Sequence, residues 1–259
     1  MADQQKHFVL VHEACHGAWT WYKVVKLLSS AGHRVTALDL GVSRCNEPED
    51  MDKTVSISDY LKPLMEFMGS LPEEERVILV GHGYGGVAVS LAMEKFPEKI
   101  SVAVFAAAVM PSWKLPIIDV FEESLLDCEF SFHHGRENFP TSVILGLDFL
   151  SSKMYNCCPS EDTTLASLLV EPTSFFLKDL GNETLLTREK FGSVNRVYIV
   201  CSKDEVLKEE FQLWMIYNSP TTPTKAVVRV ILDSGHMVML SKPDELSICL
   251  KEIAEKYTI

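Results

Sequence analysis

A chain of 259 residues, 47% of them hydrophobic and with a mean hydropathy of +0.08, can build one large α/β domain around a substantial core. A formal net charge of −12 sets it against nucleic-acid phosphates. No apolar run approaches the ~18 to 20 residues of a membrane-spanning helix. The amino terminus runs from MADQQK straight into a strand, without the zones of a signal peptide. The seven cysteines show no zinc spacing and read as reduced thiols. The expectation is a cytoplasmic protein that binds a small molecule, needs no cofactor or metal, and contacts neither nucleic acid nor membrane.

Apolar β-rich runs alternate with helix-length patterns, which predicts an α/β fold with a mostly parallel sheet covered on both faces. HFVLVHE (7–13) reads as a buried strand. A helix over 18–32 stops at Gly32, and 33–40 is the next strand. A polar stretch over 41–54 reads as a loop. VSISDYLKPLMEFMGSL is helical, with Ser56 or Ser58 as cap and Pro63 near the first turn. RVILVGH (76–82) is a strand, 85–99 a helix and ISVAVFAAAVM (100–110) a further buried strand. After Pro111 the pattern breaks. Residues 111 to about 180 carry prolines, aromatics and helical pieces such as TSVILGLDFLSSKMY, and read as a cap subdomain over the strand ends of a single domain, 1–259. The sheet resumes at 194–204, followed by a helix at 209–218, a last strand at 225–236 and a closing helix from Lys242.

Three positions fall at the ends of predicted strands. Gly83 lies in VILVGHGYGG, a strand-to-helix turn of the kind where hydrolases carry a nucleophilic serine. Asp204 and His236 follow later strands. The chain order is nucleophile position, acid, histidine, as in an α/β-hydrolase triad.

HFVLVHEACHGAWTWYKVVKLLSSAGHRVTALDL, GHGYGG, EKISVAVF, EFQLW and GHMVMLSKP together resemble the plant methylesterase family, which includes hydroxynitrile lyases, over essentially the whole chain. The resemblance implies an α/β-hydrolase fold with a helical cap and a homodimer. It places the triad acid on Asp204, the histidine on His236, and the oxyanion-hole amides on Ala14 and Tyr84. Two departures stand out: Glu13 replaces a glycine of the family esterases, and Gly83 replaces their serine. Both lie on loops expected to face one pocket.

Gly83 excludes an acyl-enzyme at that position. Glu13 has three readings: an acid or base working with His236, a steric plug, or a side chain turned to solvent. His12, His16 and His82 read as structural, and Asp233 is the rival to Asp204. Among Trp19, Trp21, Phe121, Phe130, Phe132, Phe149, Tyr155 and Phe176, the cap aromatics are the better candidates for ligand contact. Three functions follow. The first is a methylesterase-like enzyme of plant specialised metabolism, acting on a small ester or aldehyde-ester, such as an indole alkaloid, by His–Asp acid/base chemistry, with ester removal and decarboxylation. The second is a lyase, cyclase or isomerase using Glu13 and His236. The third is a small-molecule-binding protein without catalysis.

Overall fold

The computed structural model describes residues 5–41, 56–124, 129–131, 142–181, 185–220 and 226–257. The chain opens with β1 (His7–Val11), α1 (Tyr22–Ser30), β2 (Arg34–Leu38), α2 (Ile57–Ser70), β3 (Val77–Gly83), α3 (Gly85–Lys95) and β4 (Ile100–Ala108). Between β4 and the return to the sheet lie α4 (Ile117–Ser124), β5 (Glu129–Ser131), β6 (Ser142–Ile144), α5 (Leu147–Phe149), α6 (Ser160–Leu169) and α7 (Leu177–Leu180). The chain closes with β7 (Arg196–Cys201), α8 (Glu209–Asn218), β8 (Val227–Ile231), α9 (Val238–Ser241) and α10 (Pro243–Tyr257).

The main sheet runs β2-β1-β3-β4-β7-β8 with every pairing parallel. β1, β3 and β4 are buried along their whole lengths, which is why they read as continuous apolar runs. Alternate residues of the central strands face opposite layers. Phe8, Leu10, Ile78 and Val80 join a core with Val24 and Leu28 of α1 and Leu246, Leu250 and Ile253 of α10. Val9, Val11 and Leu79 join a second core with Leu61, Leu64 and Met68 of α2 and Val87 and Val89 of α3.

Gly32, at φ +86°, stops the first helix where the sequence predicts. The residues before α1 differ: Ala18–Trp21 form a 3₁₀ turn, because the Thr20 N–H and hydroxyl both bond back to the Gly17 carbonyl. Of the two cap candidates Ser56 is the one used, in a reciprocal capping box with Asp59. Pro63 is the seventh residue of α2 rather than part of its first turn. Its ring removes one helical hydrogen bond, and Gly41 packs its backbone on that segment, donating to the Tyr60 carbonyl. TSVILGLDFLSSKMY is helical only in its second half. The β-branched start, Ser142–Ile144, pairs antiparallel with β5, and Val143 exchanges backbone bonds with Thr173. The loop over 41–54 lies outside the described residues beyond Gly41. Among the described residues no helix is long and apolar enough to cross a membrane.

Candidate active site

From β1 the chain goes to β2 on one side, then returns to β3 on the other. The loops leaving β1 and β3 therefore diverge, opening a crevice at their carboxyl ends, where open α/β sheets hold their ligands. Glu13 follows β1, Gly83 ends β3, Asp204 follows β7 and His236 follows β8. Four strand ends thus converge on one place.

Gly83 has φ +53°, a left-handed conformation suited to a residue without Cβ. The turn is tight because β3 passes directly into α3 against β4. A Cβ on Gly86 would run into the Val109 carbonyl, and the Val109 N–H donates to the Gly83 carbonyl. A Cβ on Gly83 would meet something else: it would fall inside the carboxylate of Glu13. The space that a side chain on residue 83 would take is filled by Glu13, 70 positions earlier in the chain.

The Glu13 side chain is fully engaged. Its Oε1 accepts from the backbone N–H of Ala14 at 2.6 Å and from that of Tyr84 at 2.7 Å. These are the two amides that the sequence marks as an oxyanion hole. The Tyr84 N–H lies at the amino terminus of α3, whose dipole favours an anion. Glu13 Oε2 lies 3.0 Å from His236 Nε2, and His236 Nδ1 lies 2.8 Å from Asp204 Oδ2. Asp204 also accepts from the N–H groups of Val206 and Leu207, both at 2.8 Å. Glu13, Asp204 and His236 are all buried. Of the three readings of Glu13, the solvent-facing one is excluded.

Burial pushes the Glu13 carboxyl up, but the hydrogen bond and charge of His236, then the Tyr84 amide, outweigh it and hold the group at about 2. Burial pulls His236 down, but the charges and hydrogen bonds of Asp204 and Glu13 raise it to about 10. The two acids on either side of the ring thus favour its protonated form. His82 stays neutral: burial and the nearby His236 hold it down at about 3. Its Nε2 donates to the His236 carbonyl, tying the β3 turn to the loop after β8. One ligand atom each from Glu13, His82 and His236 lies within 4.8 Å of the others. Glu13 and His236 spend theirs on each other, so a cation there would have to replace the imidazolium proton.

The other sequence candidates sort by contact. His12 Nε2 accepts from the Leu40 N–H and Nδ1 meets the Glu13 carbonyl, bracing the loop after β1. His16 stacks between Trp19 and Tyr155. Asp233 is exposed and pairs with Lys203, away from His236. A cavity of about 50 Å³ adjoins the Glu13 carboxylate, lined by Ala14, Tyr84, Phe149, Phe175, Val206 and Leu207 among others. Of the aromatics named from the sequence whose side chains are described, only Phe149 is in that lining. Trp19 lines a separate cavity of about 300 Å³ beside it, Trp21 packs beneath the sheet ends against His82, and Phe176 packs on Tyr60. Phe132 lies outside the described residues, and Phe121 and Phe130 outside those whose side chains are described. Two contributors went unread in the sequence. Phe175 lies beside the named Phe176 with no periodicity to favour it. Gln212 is fully buried and clamps the Asp204 turn: its amide donates to the Leu207 carbonyl at 2.6 Å and lies 3.3 Å from Asp204 Oδ2.

Comparison with known proteins agrees with this architecture. The alpha/beta hydrolase family pattern matches residues 8–247. Methyl jasmonate esterase 1 of Vitis vinifera is 50% identical over the full length of both chains. Polyneuridine aldehyde esterase of Rauvolfia serpentina is 44% identical over 98% of this chain and 97% of its own. Tomato methylketone synthase I complexed with 2-tridecanone superposes with a TM-score of 0.87 at 46% identity, covering 99% of this chain and all of that one. A variant of the same synthase, complexed with beta-ketoheptanoate, fits equally well, with a TM-score of 0.87 at 45% identity, again covering 99% of this chain and all of that one. The protein is an α/β-hydrolase. More narrowly, it belongs to the plant methylesterase family.

Proposed function

We propose that this protein is a His–Asp acid–base enzyme of plant specialised metabolism that acts on a small β-carbonyl acid without a serine acyl-enzyme, and that its central step is decarboxylation through an enolate. The observation that carries this reading is the Glu13 carboxylate bridging the two hole amides and His236 Nε2. A carboxylate, O–C–O, and an enolate, O–C=C, are both planar three-atom anions. An enolate in the place of Glu13 would put its oxygen on the Ala14 and Tyr84 amides and its carbon against the imidazolium N–H. Donors aimed at developing charge in a dry site are the main source of such catalysis.

In this reaction the C–C bond to the carboxylate breaks, CO₂ leaves, and the bonding pair becomes the enolate. His236 then delivers the proton from Nε2 to carbon, Asp204 holds the ring, and solvent restores the proton. Plain ester hydrolysis is poorly served: residue 83 has no nucleophile, and two acids beside His236 favour its protonated ring over a general base. The relatives support the choice. The tomato structures hold a β-keto acid and a methyl ketone, and a methyl ketone is what a β-keto acid becomes on losing CO₂. The name polyneuridine aldehyde esterase keeps an aldehyde as a second substrate class.

The direct Glu13–His236 contact favours one alternative, proton shuttling between the two groups in a lyase or isomerase. Residues 111 to about 180 serve as the cap, and the site of action is the cytoplasm as a homodimer. The test is incubation with β-keto acids of graded length and with their methyl esters, following products by mass. Ketone formation that falls roughly 10²- to 10⁴-fold in His236→Ala, with little methanol from the esters, is the expected result. Methyl esters cleaved as fast as the acids, or decarboxylation untouched in His236→Ala, would overturn the reading.

A further inference from the structure

We propose that the cavity of about 300 Å³ beside Trp19 is a second ligand site, and that it takes a small organic ammonium ion carrying an aromatic ring and a hydroxyl group. The site stands apart from the proposed reaction: neither Gly83, Asp204 nor His236 lines it.

Its size is at the lower end of the range of small-molecule sites, about 300–1,000 Å³. Cys15, in the left-handed region at φ +64°, lines both this cavity and the one beside Glu13, so the loop after β1 is the wall between them. Among the described lining residues are two exposed acids, Asp39 and Glu171, and no Lys or Arg. The histidines in the lining bring no positive charge. Burial holds His12 down and His16 at about 4. Both rings are already satisfied: His12 by the Leu40 N–H and the Glu13 carbonyl, His16 by the Ala14 carbonyl and the Tyr155 hydroxyl.

The acid at the mouth is fixed in place. Asp39 Oδ1 accepts from the Ala18 N–H at 2.7 Å, which sets the carboxylate beside the Trp19 indole. A Cβ on Gly17 would stand 2.8 Å from Asp39 Oδ1 and 2.9 Å from Trp19 Cδ1, so glycine leaves the corner between carboxylate and indole clear. A carboxylate next to an aromatic ring suits a cation, which the ring attracts by its quadrupole and the acid by its charge.

A second, independent feature marks the buried end. Tyr60 lines the cavity at 2% exposure, and its hydroxyl is buried without a hydrogen-bond partner among the described residues. Buried hydroxyls are nearly always paired in folded proteins. The ring packs on Tyr84 and Phe176, so the phenol cannot turn out to water. The missing partner therefore belongs to what enters the cavity. The ligand has its ammonium group at the Asp39–Trp19 corner and its hydroxyl at Tyr60, with an aromatic ring spanning the two.

Tyramine has this form and is the probe. Phenethylamine lacks its hydroxyl, and tyrosol replaces its ammonium group by a neutral alcohol. Each is titrated by calorimetry into wild type, Asp39→Asn, Gly17→Ala and Tyr60→Phe. Asparagine keeps an oxygen for the Ala18 N–H, and phenylalanine keeps the packed ring, so both of these variants retain the local structure. Gly17→Ala fills the corner without altering charge, which separates a built site from general attraction to an acidic protein. The expected result is saturable tyramine binding that weakens about 10-fold or more in Asp39→Asn, and weakens in Gly17→Ala as well. Phenethylamine should bind less tightly than tyramine to wild type and as tightly as tyramine to Tyr60→Phe. The proposal is overturned if no amine saturates in the millimolar range, or if tyrosol matches tyramine. Tyramine affinity left unchanged by Asp39→Asn, by Gly17→Ala or by Tyr60→Phe would overturn it equally. The titrations read binding alone, so failure here leaves the decarboxylation reading untouched.

Discussion

Glu13 Oε2 lies 3.0 Å from His236 Nε2, within the space that any side chain on residue 83 would enter. The two residues that depart from the family pattern are thus one structural change. Glycine at 83 makes room for a carboxylate at 13, and that carboxylate satisfies the hole and the histidine that a serine would otherwise serve.

Putting the serine back alone should therefore fail. Gly83→Ser forces its Cβ into the Glu13 carboxylate, and such overpacking costs about 1–3 kcal/mol. The displaced carboxylate would also lose bonds to charged partners, each contributing about 1.5–3 kcal/mol. Glu13→Gly together with Gly83→Ser removes the clash and empties the hole. The double variant is expected to be more stable than Gly83→Ser and to release methanol from methyl esters, measured by urea unfolding and by methanol assay. Esterase activity in Gly83→Ser alone, with unchanged stability, would show that the two positions are independent.

His236 holds a buried anion on each side, so its removal leaves charges uncompensated. His236→Ala is expected to lose about 3–5 kcal/mol, the cost of breaking a buried pair by deleting one partner. Glu13→Gln should recover part of that loss in the double variant, because it removes one orphaned charge. A double-mutant cycle on unfolding free energies measures the coupling.

The same pair sets a pH window. The Glu13 carboxyl is lowered from 4.5 to about 2, so its contribution is full above 4.5 and fades as pH falls through 2. His236 is raised from 6.5 to about 10, so its contribution is full below 6.5 and fades as pH rises through 10. The pair is fully stabilising between those two ordinary values. His16, at about 4, and His82, at about 3, are buried neutral bases that lower stability on acidification. Glu13 raises both, and without it they are held lower still, so at pH 5 and above both stay neutral in wild type and in Glu13→Gln. The difference in stability between the two should be largest near pH 5–6 and shrink on both sides. A difference that is flat from pH 3 to 9 would contradict an ionised Glu13.

Gln212 is expected to act through Asp204. Besides Leu207 and Asp204 it bonds both backbone groups of Cys201, accepting from the N–H at 3.0 Å and donating to the carbonyl at 3.1 Å. Gln212→Leu strands those buried groups and should lose about 1–3 kcal/mol. Because the Asp204 turn carries Val206 and Leu207 of the cavity wall, the decarboxylation assay should show kcat falling and KM rising together.

Much of this site was legible from the chain. The apolar runs of β3 and β7 place Gly83 and Asp204 at strand ends, since buried parallel strands have a plain signature; His236 follows β8, an edge strand buried only in part. The replacement of glycine by Glu13 and of serine by Gly83, on loops facing one pocket, was visible as a coincidence. What they do to each other was not, because a side-chain rotamer leaves no trace in hydrophobic periodicity and the contact joins residues 70 positions apart. The resemblance marks the Ala14 and Tyr84 amides for a substrate oxygen; in the structure they hold Glu13. Strand limits were read too long at β1 and β8, where the chain turns before the polar residues that follow. The wall of the cavity was the least legible part, since Phe175 and Leu207 sit in irregular backbone where no period marks the inward side.

The most direct measurement is the protonation state of His236 by nitrogen-15 NMR of the imidazole, titrated from pH 5 to 10 in wild type and Glu13→Gln. If Glu13 stands in the nucleophile's place as an anion, both ring nitrogens of wild-type His236 stay protonated to about pH 9, and the midpoint drops in Glu13→Gln. A neutral ring at pH 7 in wild type, unmoved by Glu13→Gln, would mean that Glu13 is not the partner of His236, and the account of this site would fall.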